Sequence, residues 1–140
     1  PVVFNSAYTV MLPGHGSAYD ANADRVVVCY RDEGDSNKGK AIVGQVTAGT
    51  NAISFGTEVE FSDGSAINHA SIVEDPNTDR VAVFYADSGN SEGRGVVGTV
   101  TAGTNAIAFG SASAFESTAV TSDSGIYGRS LASAYEPDTN

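Results

Sequence analysis

Tryptophan is absent from this chain of 140 residues, cysteine and methionine occur once each, and proline appears four times. A single cysteine excludes an internal disulfide framework. Cys29 sits in the apolar run Val26-Val27-Val28-Cys29-Tyr30, where a small buried core residue is expected. Basic residues are scarce too. Seven Lys and Arg stand against 17 Asp and Glu, a formal charge of -10. Nucleic acid and anionic membrane surfaces both require a positive footprint, so neither is expected as a partner. An acidic, solvated surface that keeps the protein soluble is the plain reading of that charge, and cation binding is the sharper one.

Long apolar runs are missing as well. No stretch approaches the roughly 20 residues of a membrane-spanning helix, and no charged-then-apolar start marks a signal peptide, so membrane insertion is not expected. The start at Pro1 without Met is expected of a processed chain or a fragment. Catalytic signatures are also lacking. There is no Gly-x-Ser-x-Gly elbow, no His-Glu-x-x-His, no phosphate loop and no suitably placed Cys/His pair. A non-enzyme is therefore expected, with no resident cofactor.

What the chain does have is 41% hydrophobic content and 16 glycines, which exclude disorder and fit short strands joined by tight turns. It also has an internal repeat. Residues 39–61 return as 93–115, with Thr47–Ile53 and Thr101–Ile107 identical at an offset of 54. Upstream, Asp24–Asp32 matches Asp79–Asp87 at an offset of 55, so the slip falls in the polar loop between Gly34 and Gly39. His15–Asp20 aligns with His69–Glu74 and more weakly with Leu131–Glu136, while Pro1–Phe4 resembles Thr57–Phe61.

Each unit reads as four strands. In the first unit these are Ser17–Asp20, then Arg25–Arg31, apolar on both faces, then Lys40–Val46, and finally Ile53–Phe61, which alternates as an outer strand does. Four antiparallel strands in a repeat of this length, with no helical period, are the signature of a β-propeller blade. The expected fold is thus all-β, a partial β-propeller of about two and a half blades, with tandem small β-sandwiches or a β-solenoid as alternatives. The boundaries that follow are 1–4 for the outer strand of a preceding blade, 15–61 and 69–115 for two whole blades, and 131–140 for the start of a third. Chain ends that fall inside units are expected of truncation, the remaining blades coming from the same longer chain or from other copies.

A family resemblance rests on Val26–Asp32, Val43–Thr47 and Ile53–Gly56, and on their counterparts Val81–Asp87, Val97–Thr101 and Ile107–Gly110. This pattern resembles the tandem propeller repeats of bacteriophage tail and fibre proteins and of large bacterial surface proteins. The resemblance implies a structural or adhesion module on an extracellular or virion surface, and it specifies a blade without specifying an activity.

Candidate contact residues follow from the loops that join one unit to the next, which differ in length and sequence while the strands stay alike. Such loops on a rigid scaffold are a usual recognition surface. Tyr127 and Arg129 in the longest of them are the first candidates, for a surface glycan or a protein. His15 and His69 hold equivalent places at the entry to the first strand and offer an anion or sugar contact, although duplication alone also puts two histidines in register. Asp32, Asp35 and Asn37, with Asp87 and Asn90, offer oxygen ligands for Ca²⁺ in a glycine-containing loop, without the spacing or distal Glu of an EF-hand. Asp and Asn are equally what a turn selects, and the turn is the favoured reading. Two alternatives in other classes are a glycan-binding propeller lectin and, more remotely, a propeller glycosidase. The lectin predicts one aromatic set per blade, yet Tyr8 and Tyr127 lack counterparts in the second unit. The Ser-x-Asp-x-Gly-x-x-Trp box of sialidase-type propellers is absent.

Overall fold

The computed structural model describes residues 2–5, 16–117 and 132–136. It is all-β, built as two antiparallel sheets of the same construction. In the first, β1 (Gly16–Asp20), β2 (Arg25–Asp32) and β3 (Lys38–Val46) follow one another as a meander, with β4 (Ile53–Phe55) and β5 (Val59–Glu60) both paired to β3. The second sheet repeats this as β6 (Ile67–Asp75), β7 (Arg80–Asp87) and β8 (Glu92–Thr101), with β9 (Ala106–Phe109) and β10 (Ser113–Glu116) on β8. A single 3-10 turn, Glu33–Asp35, lies between β2 and β3. The sheets are open, and the described residues form no closed ring.

The β-branched and aromatic residues of β2 and β7 place those strands between two neighbours, each buried on the face toward the other sheet and only partly covered on the opposite face. The fourth strand departs from the sequence expectation. Instead of running unbroken from Ile53 to Phe61, it pairs Phe55 with Gly44 and then Val59 with Ala41, so one extra residue sits on the outer strand. That is a β-bulge, and the second sheet has the same break between Phe109 and Ser113. At the first break Gly56 lies so close to the second sheet that a Cβ there would stand 1.9 Å from the Asn105 carbonyl oxygen. The kink belongs to the repeat, since the second sheet has it too, and at Gly56 only glycine leaves room for the neighbouring sheet. Sequence periodicity carries no trace of it.

The two sheets pack face to face. Val27, Cys29, Ala41 and Val43 of the first meet Ala70, Ile72, Val81 and Val83 of the second in one core. Phe61 closes it. Its ring rests over Gly39, where any Cβ would come within 2.4 Å of it, and packs edge-on against Tyr85 at 5.4 Å and against Phe109 at 5.8 Å. On the outer side of the first sheet Phe4 holds the matching place, 5.3 Å from Tyr30 and 5.5 Å from Phe55.

Polar contacts also join one unit to the next. The Arg25 side chain, only 5% exposed, donates from Nε to the Thr104 carbonyl at 3.0 Å and to Asn105 Oδ1 at 2.8 Å. The Ala21 amide donates to Glu74 at 3.1 Å, and Asn77 Nδ2 donates to the Tyr135 hydroxyl. Ala132–Glu136 lies beside β6, where Ser133 meets Ser71 at 2.6 Å.

Replacing Phe61 with Ala is expected to lower unfolding stability by about 3–5 kcal/mol, the usual cost of emptying a buried phenylalanine site. The same change at Phe115, which is 56% exposed, is expected to cost roughly 0.5 kcal/mol or less. Urea denaturation of the two variants checks the contrast.

Candidate functional site

The link Phe61–Ala66 gathers two turns at one end of the molecule. On one side Ile67 donates its amide to the Asn37 carbonyl at 2.9 Å, and Gly39 donates to Ser62 Oγ at 3.0 Å. On the other, Ser88 donates to the Ala66 carbonyl at 2.9 Å, and Asn90 Nδ2 reaches Ser65 Oγ at 3.4 Å. The β2–β3 turn, the inter-unit link and the β7–β8 turn therefore form one polar surface. It contains Asp32, Asp35, Asn37, Asp87 and Asn90, five of the residues singled out by sequence. His15, Tyr127 and Arg129 lie outside the described residues.

Each of the five has a defined partner. Asp32, buried, caps the 3-10 turn by accepting from the Gly34 amide at 2.9 Å. Asn37 adopts φ 63, a left-handed conformation that Asn tolerates better than most residues. Asp35 receives Lys40 at 2.8 Å and Lys38 at 3.3 Å, and Lys38 also reaches Glu60 at 3.4 Å. The Lys40 ammonium and then the Lys38 ammonium hold the Asp35 carboxyl below its ordinary range. Asp87, fully buried, accepts from the Gly89 amide at 2.9 Å, from the Asn90 amide at 3.0 Å and from Asn90 Nδ2 at 2.9 Å, with Arg94 at 3.5 Å. Burial alone would raise the Asp87 carboxyl, and these hydrogen bonds outweigh it and lower it. The geometry is that of two turn caps and a surface ion cluster. Among the described residues no three His, Cys, Asp or Glu side chains converge as metal ligands.

His69 lies half-buried on β6, beside a one-residue register shift between Ile67 and Ala70. It is not among the five gathered at the polar end. The structure also adds residues that the sequence reading passed over. Lys38, Lys40 and Glu60 meet only because β5 pairs with β3. Tyr30 donates to Glu58 at 2.6 Å, and burial, then that bond, push its hydroxyl well above the ordinary value. Tyr85 is pushed up to about 12, chiefly by burial, against the opposing charge of Arg94. Cys29 is raised to about 11 by burial, so at neutral pH it is a thiol enclosed in the core rather than a nucleophile.

Among the described residues no helix is long and apolar enough to cross a membrane. Comparison with protein-family models, curated proteins and solved structures finds no match to this chain.

The lowered Asp87 carboxyl stabilises the fold fully above its ordinary value of 3.8 and ceases to do so as pH falls through the folded value. Asp87→Asn is therefore expected to be less stable than the parent at neutral pH, by about 1–3 kcal/mol for the weakened buried hydrogen bonds. That difference should shrink in acid below the carboxylate range, as urea midpoints across pH will read. Iodoacetamide is expected to modify Cys29 only after urea unfolding, and rapid labelling of the folded protein would contradict its enclosure.

Proposed function

We propose that this chain is a segment of a β-propeller serving as a non-enzymatic structural and adhesion module of an extracellular or virion appendage. The observation that carries the reading is the recurrence of one packing relation. Phe61 seats on Tyr85 and Phe109 as Phe4 seats on Tyr30 and Phe55. A fixed operation that carries each four-stranded unit onto the next is what radial repetition requires.

The recognition surface in this reading is the polar end, where the inter-unit link runs between the two turns. Its backbone is tied down by the Asp32 and Asp87 caps and by the left-handed turn at Asp63 and Gly64, so the link presents Asp63 to solvent in a fixed conformation. The chain as a whole is acidic, which suits a protein or neutral glycan partner and disfavours nucleic acid.

Electron microscopy of the intact assembly is expected to show closed rings of roughly four to eight such sheets. Assemblies without rings would sink the propeller. A glycan array and a glycosidase screen are the complementary measurements. Hydrolysis of any glycan would overturn the non-enzymatic reading, and array binding abolished by substitutions in the link would identify the partner as a glycan.

A further inference from the structure

The side of the second sheet turned away from the first carries the counterparts of what the first sheet buries. At the repeat offset, Val27, Cys29, Ala41, Val43 and Phe61 correspond to Ala82, Phe84, Gly95, Val97 and Phe115. The first set is at most 2% exposed, whereas Val97 is 51% and Phe115 56% exposed. The second set lines an open groove of about 350 Å³. An apolar face of this kind, matching a face already buried in the same chain, points to an interface.

Two polar features say what fits it. Arg25 clamps the Thr104–Asn105 turn of the neighbouring sheet, but its counterpart Arg80 is exposed and reaches only the Thr78 and Asp79 carbonyls of its own turn. Gly56 is pressed by Asn105, but at its counterpart Gly110 the nearest atom to an added Cβ is the Val97 oxygen at 3.8 Å. Arg80 and Gly110 are thus prepared for a Thr-Asn turn that the second sheet does not meet among the described residues.

The opposite side of the chain offers that turn. Thr47–Asn51 is identical in sequence to Thr101–Asn105, and Thr50 and Asn51 are exposed. The first strand fits as well. Ser133-Ala134-Tyr135-Glu136 lies against β6 through Ser133 to Ser71 at 2.6 Å and Tyr135 to Asn77, and Ser17-Ala18-Tyr19-Asp20 repeats it but for the last acid.

We propose that the free face of the second sheet docks the first sheet of a second copy of this chain, head to tail. Arg80 takes the Thr50 carbonyl and the Asn51 side chain of the copy, and Gly110 receives that turn. Ser17 and Tyr19 of the copy replace Ser133 and Tyr135 on Ser71 and Asn77. Phe115 takes the seat on Tyr30 and Phe55 that Phe4 holds within the chain. The contact is heterologous, so it closes into a ring or propagates. The proposal rests on the repeat-module reading above and adds the partner and the contacts.

Sedimentation velocity of the full chain over a concentration series tests it. Concentration-dependent association is expected, weakened on the order of tenfold or more by Arg80→Glu and by Gly110→Val. Neither variant should change the circular dichroism or melting of the monomer, because Arg80 is exposed and Gly110 faces open space. Tyr135→Ala is expected to strengthen association by loosening the segment that the copy replaces. A chain that stays monomeric at every concentration overturns the proposal and gives the face to another occupant, such as a further unit of the same polypeptide. Association that both variants leave unchanged overturns it equally. A folded monomer would leave the propeller reading standing, whereas open, unlimited oligomers would support the docking and count against a closed ring.

Discussion

The structure depends on one aromatic ring being handed from each sheet to the next. Phe61 belongs by chain connection to the outer edge of the first sheet, but its ring is solvated by the second, between Tyr85 and Phe109. A four-stranded meander has too little apolar surface to fold by itself. Here each sheet gains its core by giving one face to the other sheet. Gly39 is the local condition for this, since a side chain there would lift the ring out of its seat. Gly93 holds the same relation to Phe115 in the second unit, so the condition is built into the repeat.

Around that hydrophobic joint the polar contacts set orientation rather than supplying most of the stability. The Arg25 guanidinium joins residues about eighty positions apart and fixes which turn of the second sheet faces which strand of the first. At the opposite end Ser62, Asn37, Ser65 and Asn90 tie the link to both turns. The sheets are held at two ends, with the aromatic contact between them. That leaves little freedom in how one unit rotates on another.

Much of the strand content could be read from the sequence because it is local. The runs Val26–Tyr30 and Val81–Tyr85 are β-branched and aromatic at successive positions, and both became central strands. The capping roles of Asp32 and Asp87 were legible for the same reason, since an Asx turn involves only the next two or three residues. What escaped depends on register or on a second unit. The break after Phe55 appears only in the pairing register of β4 and β5 on β3, and the Lys38, Lys40, Asp35 and Glu60 cluster exists only once β5 is placed on β3. Arg25 and Asn105 each recur in both copies, as Arg80 and Asn51, but nothing in one dimension joins an arginine at a strand start to an asparagine in a distant turn.

The bulges on the outer strands have a consequence for how the protein behaves among its neighbours in solution. A long, straight edge strand presents a row of unpaired amides and carbonyls that any extended chain can copy. Here each outer edge is cut into pieces of two to four residues, offset by an extra residue, and carries Glu58 and Glu60 or Glu116 near the break. An incoming strand would lose register within a few residues and meet negative charge. Growth by strand addition at these two outer edges is thereby disfavoured.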